Sequence, residues 1–399
     1  MRLARLSALA LLLTSLLGLA HSADVCLLLY MMADNDLEYF LRGDLEEFAS
    51  SPLIRSSSLT SWIYFDHRNF GDSFWSFDDI NDRLSFVYNK DGSERTGGKP
   101  EGSFYFRYDH DLGKLIIEED LGELNSDSPQ TVEDFVDTGL ADCISRGSEE
   151  FMIVFSSHGG GFLGFGGDEN IRRNLQGKSR NLVQANNQIV GALRSSLEKN
   201  LGSGSKFDVV GFDACLMQAL GAADDFKSVA KYLLASEETE PGHGWDYTEA
   251  PQSVSGSALD IAKYFQLSFL TSLHGGDTHQ TPKTLSIVDL EDFETNFLVK
   301  WEALSREWAS LMQANDPEVA IMLARARTTA HEFQSATDVK GKSSVDIFDF
   351  MSSFKSLCPV AQDVPLGRAL EEAMFAYENM FIARGNGQGT RTLPLVSID

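Results

Sequence analysis

The chain has 399 residues, enough for one large domain or two ordinary ones around a sizeable core. Its composition, 43% hydrophobic and 23% charged, is that of an ordinary globular protein. The 59 acidic residues exceed the 33 basic ones, which gives a formal net charge of −26. Because nucleic acids and anionic membranes bind basic surfaces, this charge argues against both as partners. It favours basic peptides as substrates, although solubility would explain an acidic surface equally well.

The first 22 residues have the pattern of a secretory signal peptide. Arg2 and Arg5 precede an apolar segment over residues 6–19, and residues 20–22 (Ala-His-Ser) have the small-x-small form of a cleavage site. The apolar segment is shorter than the ~20 residues that a membrane-spanning helix needs, so cleavage is predicted instead of anchoring. The mature protein is therefore expected to be secreted or to lie in the lumen of the secretory pathway, detached from the membrane.

Strand and helix patterns alternate in the next part of the chain. Residues 25–32 are an apolar run, residues 34–36 (Asp-Asn-Asp) form a helix-capping turn, and residues 37–48 carry apolar side chains at helical spacing. These features predict a βα unit. Residues 59–66 predict a second strand, and His67 at its end is a minor candidate for a catalytic base because it lacks neighbouring glycines.

Residues 69–119 are polar and aromatic and are interrupted by glycines. Their short alternating segments predict a β-hairpin or meander, which we interpret as a surface insertion. A helix is then predicted from Ser128 and Pro129, as its cap and first residue, to Cys143.

Two later apolar runs end abruptly in small or polar residues. Residues 151–156 lead to His158 and the glycines 159–161, and residues 207–212 lead to Cys215. Such runs are typical of buried parallel strands, whose carboxyl ends form the edge of an α/β sheet at which ligands bind. An imidazole beside a thiol can remove its proton and so create a nucleophile. A lone cysteine or histidine would be interpreted as a core or loop residue, but the two at one edge predict a catalytic pair.

At these residues the sequence resembles the clostripain family of cysteine peptidases, in the clan that also contains caspases, legumains and gingipains. Caspases carry Gln-Ala-Cys with a histidine ~50 residues upstream, and this chain carries Asp213-Ala214-Cys215, as clostripain-like peptidases do. The likeness covers most of residues 25–350. The other segments that match in the family's order are residues 30–37, 121–125, 157–161, 235–247 and, more weakly, 345–350.

The resemblance implies a caspase-like α/β fold, in which helices flank a mostly parallel sheet. The catalytic domain is expected over residues 24–255, with the β insertion at residues 69–119. Residues 256–399 have mainly helical patterns and are expected to form a helical subdomain packed on the sheet. Residues 385–391 depart from the family's usual closing strand, so the packing of the last segment is expected to differ.

The resemblance also implies a mechanism. His158 would take the proton of Cys215, and the thiolate would attack the carbonyl carbon after an Arg or Lys residue of the substrate. The backbone amides of Gly159 and Cys215 would hold the oxyanion. No third member of a catalytic triad is evident in the sequence. The protein is thus expected to be a monomeric endopeptidase that acts on peptides and proteins with basic residues.

Asp213 and Asp246 match the acidic residues that line the family's pocket for the side chain before the cleaved bond. A buried carboxylate suits Arg or Lys because it forms charge-assisted hydrogen bonds with them. Glu237 and Glu238 are further candidates for the same role, and Asp213 could equally cap the turn that carries the cysteine.

Members of the family are made as precursors that are cut between the histidine and the cysteine. Self-cleavage is therefore predicted after Arg172 or Arg173, with Lys178 and Arg180 as weaker candidates in the same loop. A basic loop exposed to solvent would have the same composition.

The remaining expectations concern cofactors, cysteines and rival functions. The chemistry requires no cofactor, and calcium is implied by the family resemblance alone, with no ligands assigned. Cys26 and Cys143 are predicted to be core thiols without a disulfide, because a catalytic Cys215 leaves an odd number of cysteines. The rival functions are a transamidase or ligase of the same clan and a non-catalytic secreted binding protein built on a peptidase fold.

Overall fold

The computed structural model of the chain describes residues 24–67, 86–95, 102–168, 184–248, 256–273, 275, 277, 283–314, 317–333, 344–358, 364–386 and 397–398. The predicted signal peptide (residues 1–22) and the predicted processing sites Arg172, Arg173, Lys178 and Arg180 lie outside these residues. No helix in the described part of the chain is long and apolar enough to cross a membrane.

Ten strands of the described chain form one sheet. In chain order they are β1 (Val25–Met32), β2 (Leu59–His67), β3 (Val87–Tyr88), β4 (Gly102–Asp109), β5 (Lys114–Gly122), β6 (Glu150–Ser156), β7 (Phe207–Asp213), β8 (Ala230–Ala235), β9 (Thr284–Asp289) and, after the separate short strand β10 (Val345–Asp346), β11 (Phe381–Asn386). Their spatial order is β11-β9-β8-β7-β6-β1-β2-β4-β5-β3. The central strands β2, β1, β6, β7 and β8 run parallel. On one side β4 and β5 and on the other side β9 and β11 continue the sheet in antiparallel pairs, and β3 at the edge runs parallel to β5. The short β10 pairs with β12 (Ser397–Ile398).

Helices cover both faces of this sheet, which confirms the predicted α/β fold. They are α1 (Glu38–Ser50), α2 (Pro129–Ser145), α3 (Asn186–Leu201), α4 (Leu220–Phe226), α5 (Ala258–Thr271), α6 (Leu298–Gln313), α7 (Pro317–Thr329), α8 (Ile347–Leu357) and α9 (Pro365–Asn379). α1 and α5 share a core with one face, and the other helices share a core with the opposite face. The beginning of α2 is as predicted, since Ser128 Oγ accepts the N–H of Gln130 at 3.2 Å and Pro129 is the first helical residue.

β1 shows why the central strands are continuous apolar runs. All eight of its residues are buried, and alternate side chains point to opposite faces of the sheet. Leu28 and Tyr30 belong to the core beneath α2, whereas Leu27 and Leu29 belong to the core beneath α1. A strand that is covered on both faces has no solvent-facing side, so polar residues occur only where it ends.

Cys26 of β1 and Cys143 of α2 form a disulfide, with their Cα atoms 5.7 Å apart. The prediction of two separate core thiols is therefore wrong. Counting cysteines failed because two of the four pair while Cys215 stays a free thiol. The disulfide joins α2 to a central strand of the sheet, across a sequence separation of 117 residues.

The two ends of the sheet include strands from the predicted insertion and from the region after residue 255. The predicted insertion at residues 69–119 contributes β3, β4 and part of β5 to one edge. At the other edge, β9 and β11 come from the region predicted to be a helical subdomain, so the sheet extends across the boundary at residue 256. β11 supplies a closing strand, and the predicted departure of residues 385–391 begins inside it.

Candidate active site

The carboxyl ends of β6 and β7 bring the two predicted catalytic residues to one place. The strands are adjacent and parallel, and Ser156 is the register partner of Asp213. His158 and Cys215 each follow two residues later, so they leave the sheet at the same level. Both side chains line a cavity of about 180 Å³. The imidazole is 43% exposed, whereas Cys215 is partly buried.

The turns behind these two side chains are tightly packed. A Cβ atom at Gly159 would lie 2.1 Å from the carbonyl oxygen of Cys215, so a larger residue fits only if the backbone moves. Leu216 has a φ of 65°, a left-handed conformation that is strained for a residue other than glycine. The chain therefore turns sharply directly after Cys215, and the thiol is presented at the end of its strand.

The backbone amides of Gly159 and Cys215 are the predicted donors to an oxyanion, and Gly159 is buried and is not among the residues that line the cavity. Within the described residues, neither N–H group donates to another residue. The next amide in each turn is already engaged, since Gly160 N–H donates to Gly164 at 2.9 Å and Leu216 N–H donates to Glu238 at 3.1 Å. The role of the two N–H groups in holding an oxyanion stays a prediction.

The thiol of Cys215 lies in a negative environment. Its sulfur accepts the backbone N–H of Glu240 at 3.3 Å. Burial raises the pKa of Cys215 to about 11, and the negative charges of Glu240 and Asp213 add to the effect. This environment favours the protonated thiol, so a base has to accept the proton before the sulfur can attack.

His158 contacts a residue that the sequence analysis did not identify as functional. Its Nε2 atom is 2.6 Å from Oδ1 of Asp36, in the turn that follows β1. This contact leaves Nδ1 as the nitrogen that can act on Cys215. Residues 34–36 were interpreted as a helix cap, but β1 is the neighbour of β6 and ends at the same edge of the sheet. That adjacency was the available signal for Asp36.

Asp213 is the last residue of β7 and lines the cavity. Its Oδ1 accepts the backbone N–H of Trp245 at 3.1 Å, and its Oδ2 accepts the hydroxyl of Tyr247 at 2.9 Å. Burial raises the pKa of this carboxyl. Gly244 is required beside it, because a Cβ atom there would lie 2.8 Å from Oδ1. The carboxylate is thus held in a defined position next to Cys215.

Two further acidic residues line the cavity and were missed by the sequence analysis, namely Asp44 of α1 and Glu240. Burial raises the pKa of both carboxyls well above their usual range, and the charge of Asp213 adds to the effect in both. Asp44 shares the buried face of α1 with Leu41 and Phe48. An acidic residue within the apolar stripe of a helix was the signal that could have revealed it.

The sequence profile of the Clostripain family matches residues 29–362. The chain belongs to the clostripain family. It is a cysteine-type endopeptidase, as the sequence analysis predicted. No functionally curated protein matches its sequence.

Solved structures of clostripain-family (C11) proteases share the fold. A secreted C11 cysteine protease from Bacteroides thetaiotaomicron, in complex with an irreversible peptide inhibitor, is 16% identical with a TM-score of 0.58, over 94% of this chain and 92% of that one. Iotapain, also from B. thetaiotaomicron, is 12% identical with a TM-score of 0.59, over 94% and 93%. An inactive zymogen C11 protease from Parabacteroides distasonis is 16% identical with a TM-score of 0.56, over 94% and 91%. At these identities the likeness shows the fold alone.

One predicted pocket residue of this clostripain-family chain lies outside the cavity. Asp246 does not line it, and its Oδ2 accepts the hydroxyl of Ser272 at 2.6 Å. On either side of it, Trp245 donates its backbone N–H and Tyr247 donates its hydroxyl to the carboxylate of Asp213. The carboxylate of Asp246 instead bonds to Ser272 and Thr248.

The residues that line the cavity do not include Glu237, Glu238 or His67 either. Glu237 is fully buried, and its carboxylate accepts the hydroxyl of Ser286 at 2.8 Å. Glu238 is engaged through its backbone with the hydroxyl of Ser236 at 3.2 Å. His67 is fully buried, and burial lowers its pKa well below the usual value.

Three buried carboxylates lie together at the same edge of the sheet, in Asp34, Asp66 and Asp168. One oxygen atom of each lies within 4.8 Å of the others. Asp66 Oδ1 accepts the hydroxyl of Ser103 at 2.7 Å, whereas its Oδ2 accepts no hydrogen bond from a described residue. Calcium takes several oxygen ligands, carboxylates above all, so this donor set fits the ion that the family resemblance implies.

Proposed function

We propose that this clostripain-family endopeptidase cleaves peptide bonds after basic residues, with Cys215 as the nucleophile and His158 as the general base. The observation that supports this most is that one cavity is lined by Cys215, His158 and the carboxylate of Asp213. A cationic substrate side chain bound by Asp213 brings its own carbonyl carbon to the thiol. Charge-assisted hydrogen bonds to a buried carboxylate are the physical basis for such a preference.

The reaction starts when the thiol proton of Cys215 passes to Nδ1 of His158. The thiolate adds to the carbonyl carbon, and the N–H groups of Gly159 and Cys215 stabilise the oxyanion; loss of one such donor typically costs about 10²–10³ in rate. Protonated His158 then gives its proton to the leaving amine, and water hydrolyses the thioester. Asp36 orients the imidazole through its contact with Nε2.

Fluorogenic peptides that differ only in the residue before the cleaved bond test this proposal. We expect cleavage after Arg and Lys, and at least about 10²-fold slower cleavage after citrulline, which leaves the buried carboxylate without a cation. Cys215→Ala and His158→Ala should be inactive. Equal cleavage after citrulline would contradict the specificity, and an active Cys215→Ala variant would contradict the nucleophile. Product analysis with an added amine separates hydrolysis from transamidation.

We also propose that the protein is exported after removal of residues 1–22. The disulfide between Cys26 and Cys143 supports export, because disulfides persist in oxidising compartments. A protease of the same fold is described as secreted. N-terminal sequencing of protein recovered outside the cytoplasm should begin at residue 23, and a product that retains residues 1–22 would contradict the proposal.

Self-cleavage after Arg172 or Arg173 is part of the same proposal. A protease of this fold is described as an inactive zymogen, which supports a precursor form by analogy. Intact-mass analysis of the wild type beside Cys215→Ala tests it. We expect two fragments from the wild type and one uncut chain from the variant, and identical fragments from both would contradict self-cleavage.

For calcium, we propose Asp34, Asp66 and Asp168 as the ligands. The ion would supply positive charge among these buried carboxylates and so hold together the ends of β1 and β2, and no step of the reaction uses it. Melting of EDTA-treated Cys215→Ala should show a Tm that rises by several degrees on adding calcium. The same titration of a Cys215→Ala/Asp66→Asn variant should show little change. An unchanged Tm in the parent would contradict the site.

A further inference from the structure

An exposed apolar turn follows His158 closely in the chain. This apolar turn is Gly161–Leu163, in which Phe162 is 57% exposed and Leu163 is 56% exposed. Neither side chain lines the cavity beside Cys215. We propose that Phe162 and Leu163 bind an apolar side chain of the substrate, at the first or second residue after the cleaved bond. This binding site rests on the proposed function, because it takes the part of the substrate that the catalytic pair releases first.

The apolar turn packs against the segment that follows Cys215. A Cβ atom at Gly161 would lie 3.1 Å from the carbonyl oxygen of Leu216. A Cβ atom at Gly221 of α4 would lie 3.5 Å from the Cβ atom of Phe162. The apolar turn therefore contacts both the residue after the cysteine and the beginning of the next helix. Its two apolar side chains are thus held beside the turns that carry the catalytic residues, without entering the cavity.

Hydrogen bonds fix the backbone of the apolar turn. Gly160 N–H donates to Gly164 at 2.9 Å, and Leu163 N–H donates to Gly160 at 3.1 Å. The buried side-chain amide of Asn186 donates to the carbonyl oxygen of Gly161 at 3.1 Å. Because these bonds hold the backbone in place, the exposed side chains can bind a ligand at little further cost in backbone entropy.

The charge distribution around the catalytic pair favours an apolar ligand on this side. Residues 156–167 and 214–223 contain no Asp, Glu, Lys or Arg, although 23% of the whole chain is charged. The acidic cavity lies on the α1 side of the sheet, since Leu41 lines it and belongs to the core beneath α1. Phe165 and Met217, which follow the catalytic residues, belong to the core of the opposite face. The catalytic pair therefore lies between an acidic surface and an uncharged, apolar one.

The proposed reaction brings the leaving part of the substrate to the apolar turn. The cavity takes the side chain before the cleaved bond, and protonated His158 gives its proton to the nitrogen after it. The departing chain thus begins at the imidazole. In an extended peptide each residue adds about 3.3 Å, and successive side chains point in opposite directions. One of the first two residues can therefore direct its side chain to Phe162 and Leu163, where apolar surface is removed from water.

Internally quenched peptides with Arg before the cleaved bond and different residues after it test the inference. Leu at one of the first two positions should raise kcat/KM about tenfold over Ser, as burial of one apolar side chain allows. The double variant Phe162→Ser/Leu163→Ser should lose this preference and cleave both peptides at similar rates. Phe375→Ser removes an exposed apolar side chain from α9, so it is the matched control and should keep the preference. No preference in the wild type, or an undiminished preference in the double variant, would overturn the inference.

A binding measurement separates this inference from the proposed function. Labelled peptides with Leu or Ser after the cleaved bond are titrated with Cys215→Ala, and fluorescence anisotropy gives Kd. We expect the Leu peptide to bind about tenfold more tightly, and added Phe162→Ser/Leu163→Ser to remove the difference. Leu-selective binding without cleavage after basic residues would refute the proposed function alone. Cleavage after basic residues without selectivity for Leu would refute this inference alone. The Tm of each variant is the control for folding.

Discussion

At the residue scale, the contact with Asp36 engages Nε2 of His158, which leaves Nδ1 as the nitrogen that the proposed mechanism uses. The Nε2···Oδ1 distance is 2.6 Å, but the side chains are 43% and 70% exposed. Water screens such an exposed pair, so its contribution to folding stability is small. Its expected effect is on the orientation of the imidazole.

We predict that Asp36→Ala lowers kcat about tenfold with the best basic peptide, because the imidazole loses its orienting acceptor. Asp36→Asn keeps an oxygen in the same place and should lose less than Asp36→Ala. Rates normalised to titrated active sites measure the difference. If both variants match the wild type in kcat, the contact has no positioning role.

Gly159 provides a second test at this scale. A Cβ atom there would lie 2.1 Å from the carbonyl oxygen of Cys215, whereas one at Gly160 would meet only Leu163 and Gly164, at 3.4 and 3.5 Å. We predict that Gly159→Ala shifts the turn that carries the thiol, abolishes most activity and lowers stability by about 1–3 kcal/mol, as overpacking does. Gly160→Ala is the matched control and should be tolerated. Equal behaviour of the two variants, measured by activity and Tm, would show that the close approach is unimportant.

At the scale of elements, α1 joins two parts of the site. The turn before it carries Asp36, and its buried face carries Asp44. The helix also packs on the sheet through Leu41, Leu45 and Phe48. Leu41 and Asp44 both line the cavity, so the buried face of α1 presents one apolar and one acidic side chain to it.

The second element that matters is α2, which the disulfide links to β1. The bond between Cys26 and Cys143 closes a long loop and so restricts the unfolded chain. We predict that a Cys26→Ala/Cys143→Ala double variant is less stable by about 2–5 kcal/mol. Urea denaturation in a Cys215→Ala background measures this without self-cleavage. A midpoint that does not change would show that packing alone holds α2 on the sheet.

At the scale of the whole molecule, the net charge of −26 and the buried acidic residues give a pH dependence of stability. Asp346 caps α8 by accepting the N–H of Asp349 at 2.6 Å, and burial raises its pKa to about 8. Burial likewise raises the pKa of Glu47 to about 7. A carboxyl whose pKa is higher in the folded state binds its proton more tightly there. Proton binding by this carboxyl therefore stabilises the folded state at low pH, and this stabilisation is lost as the pH rises through the folded-state pKa.

We accordingly predict that the Tm falls by several degrees between pH 6 and pH 9, measured by scanning fluorimetry of Cys215→Ala. Asp346→Asn keeps a capping oxygen and removes the titrating group, so its Tm should fall less over this range. Glu302→Gln, on the exposed side of α6, is the control and should follow the parent. A Tm that rises with pH in the parent would contradict the assignment of these groups.

Much of the fold and part of the site followed from local pattern. The apolar runs of β1, β6 and β7 were recognisable because strands buried on both faces have no polar side. His158 and Cys215 were recognisable because each ends such a run, and parallel neighbours end at a common edge. The composition also determined the net charge, and this charge argues against nucleic acids and anionic membranes as partners. All of these properties depend on residues that are close together in the chain or on the chain as a whole.

The rest depended on which distant segments pack against each other. Asp36 contacts His158, Asp44 lines the cavity, and Cys26 of β1 bonds to Cys143 of α2. Local pattern could mark such residues as unusual, but it does not show which partner each one meets. Asp246 is not among the residues that line the cavity, and its carboxylate bonds to Ser272, which is 26 residues further along the chain. Whether a polar side chain is a surface residue, a cap or part of a site is set by its burial and its partners, and both exist only once the helices are packed on the sheet.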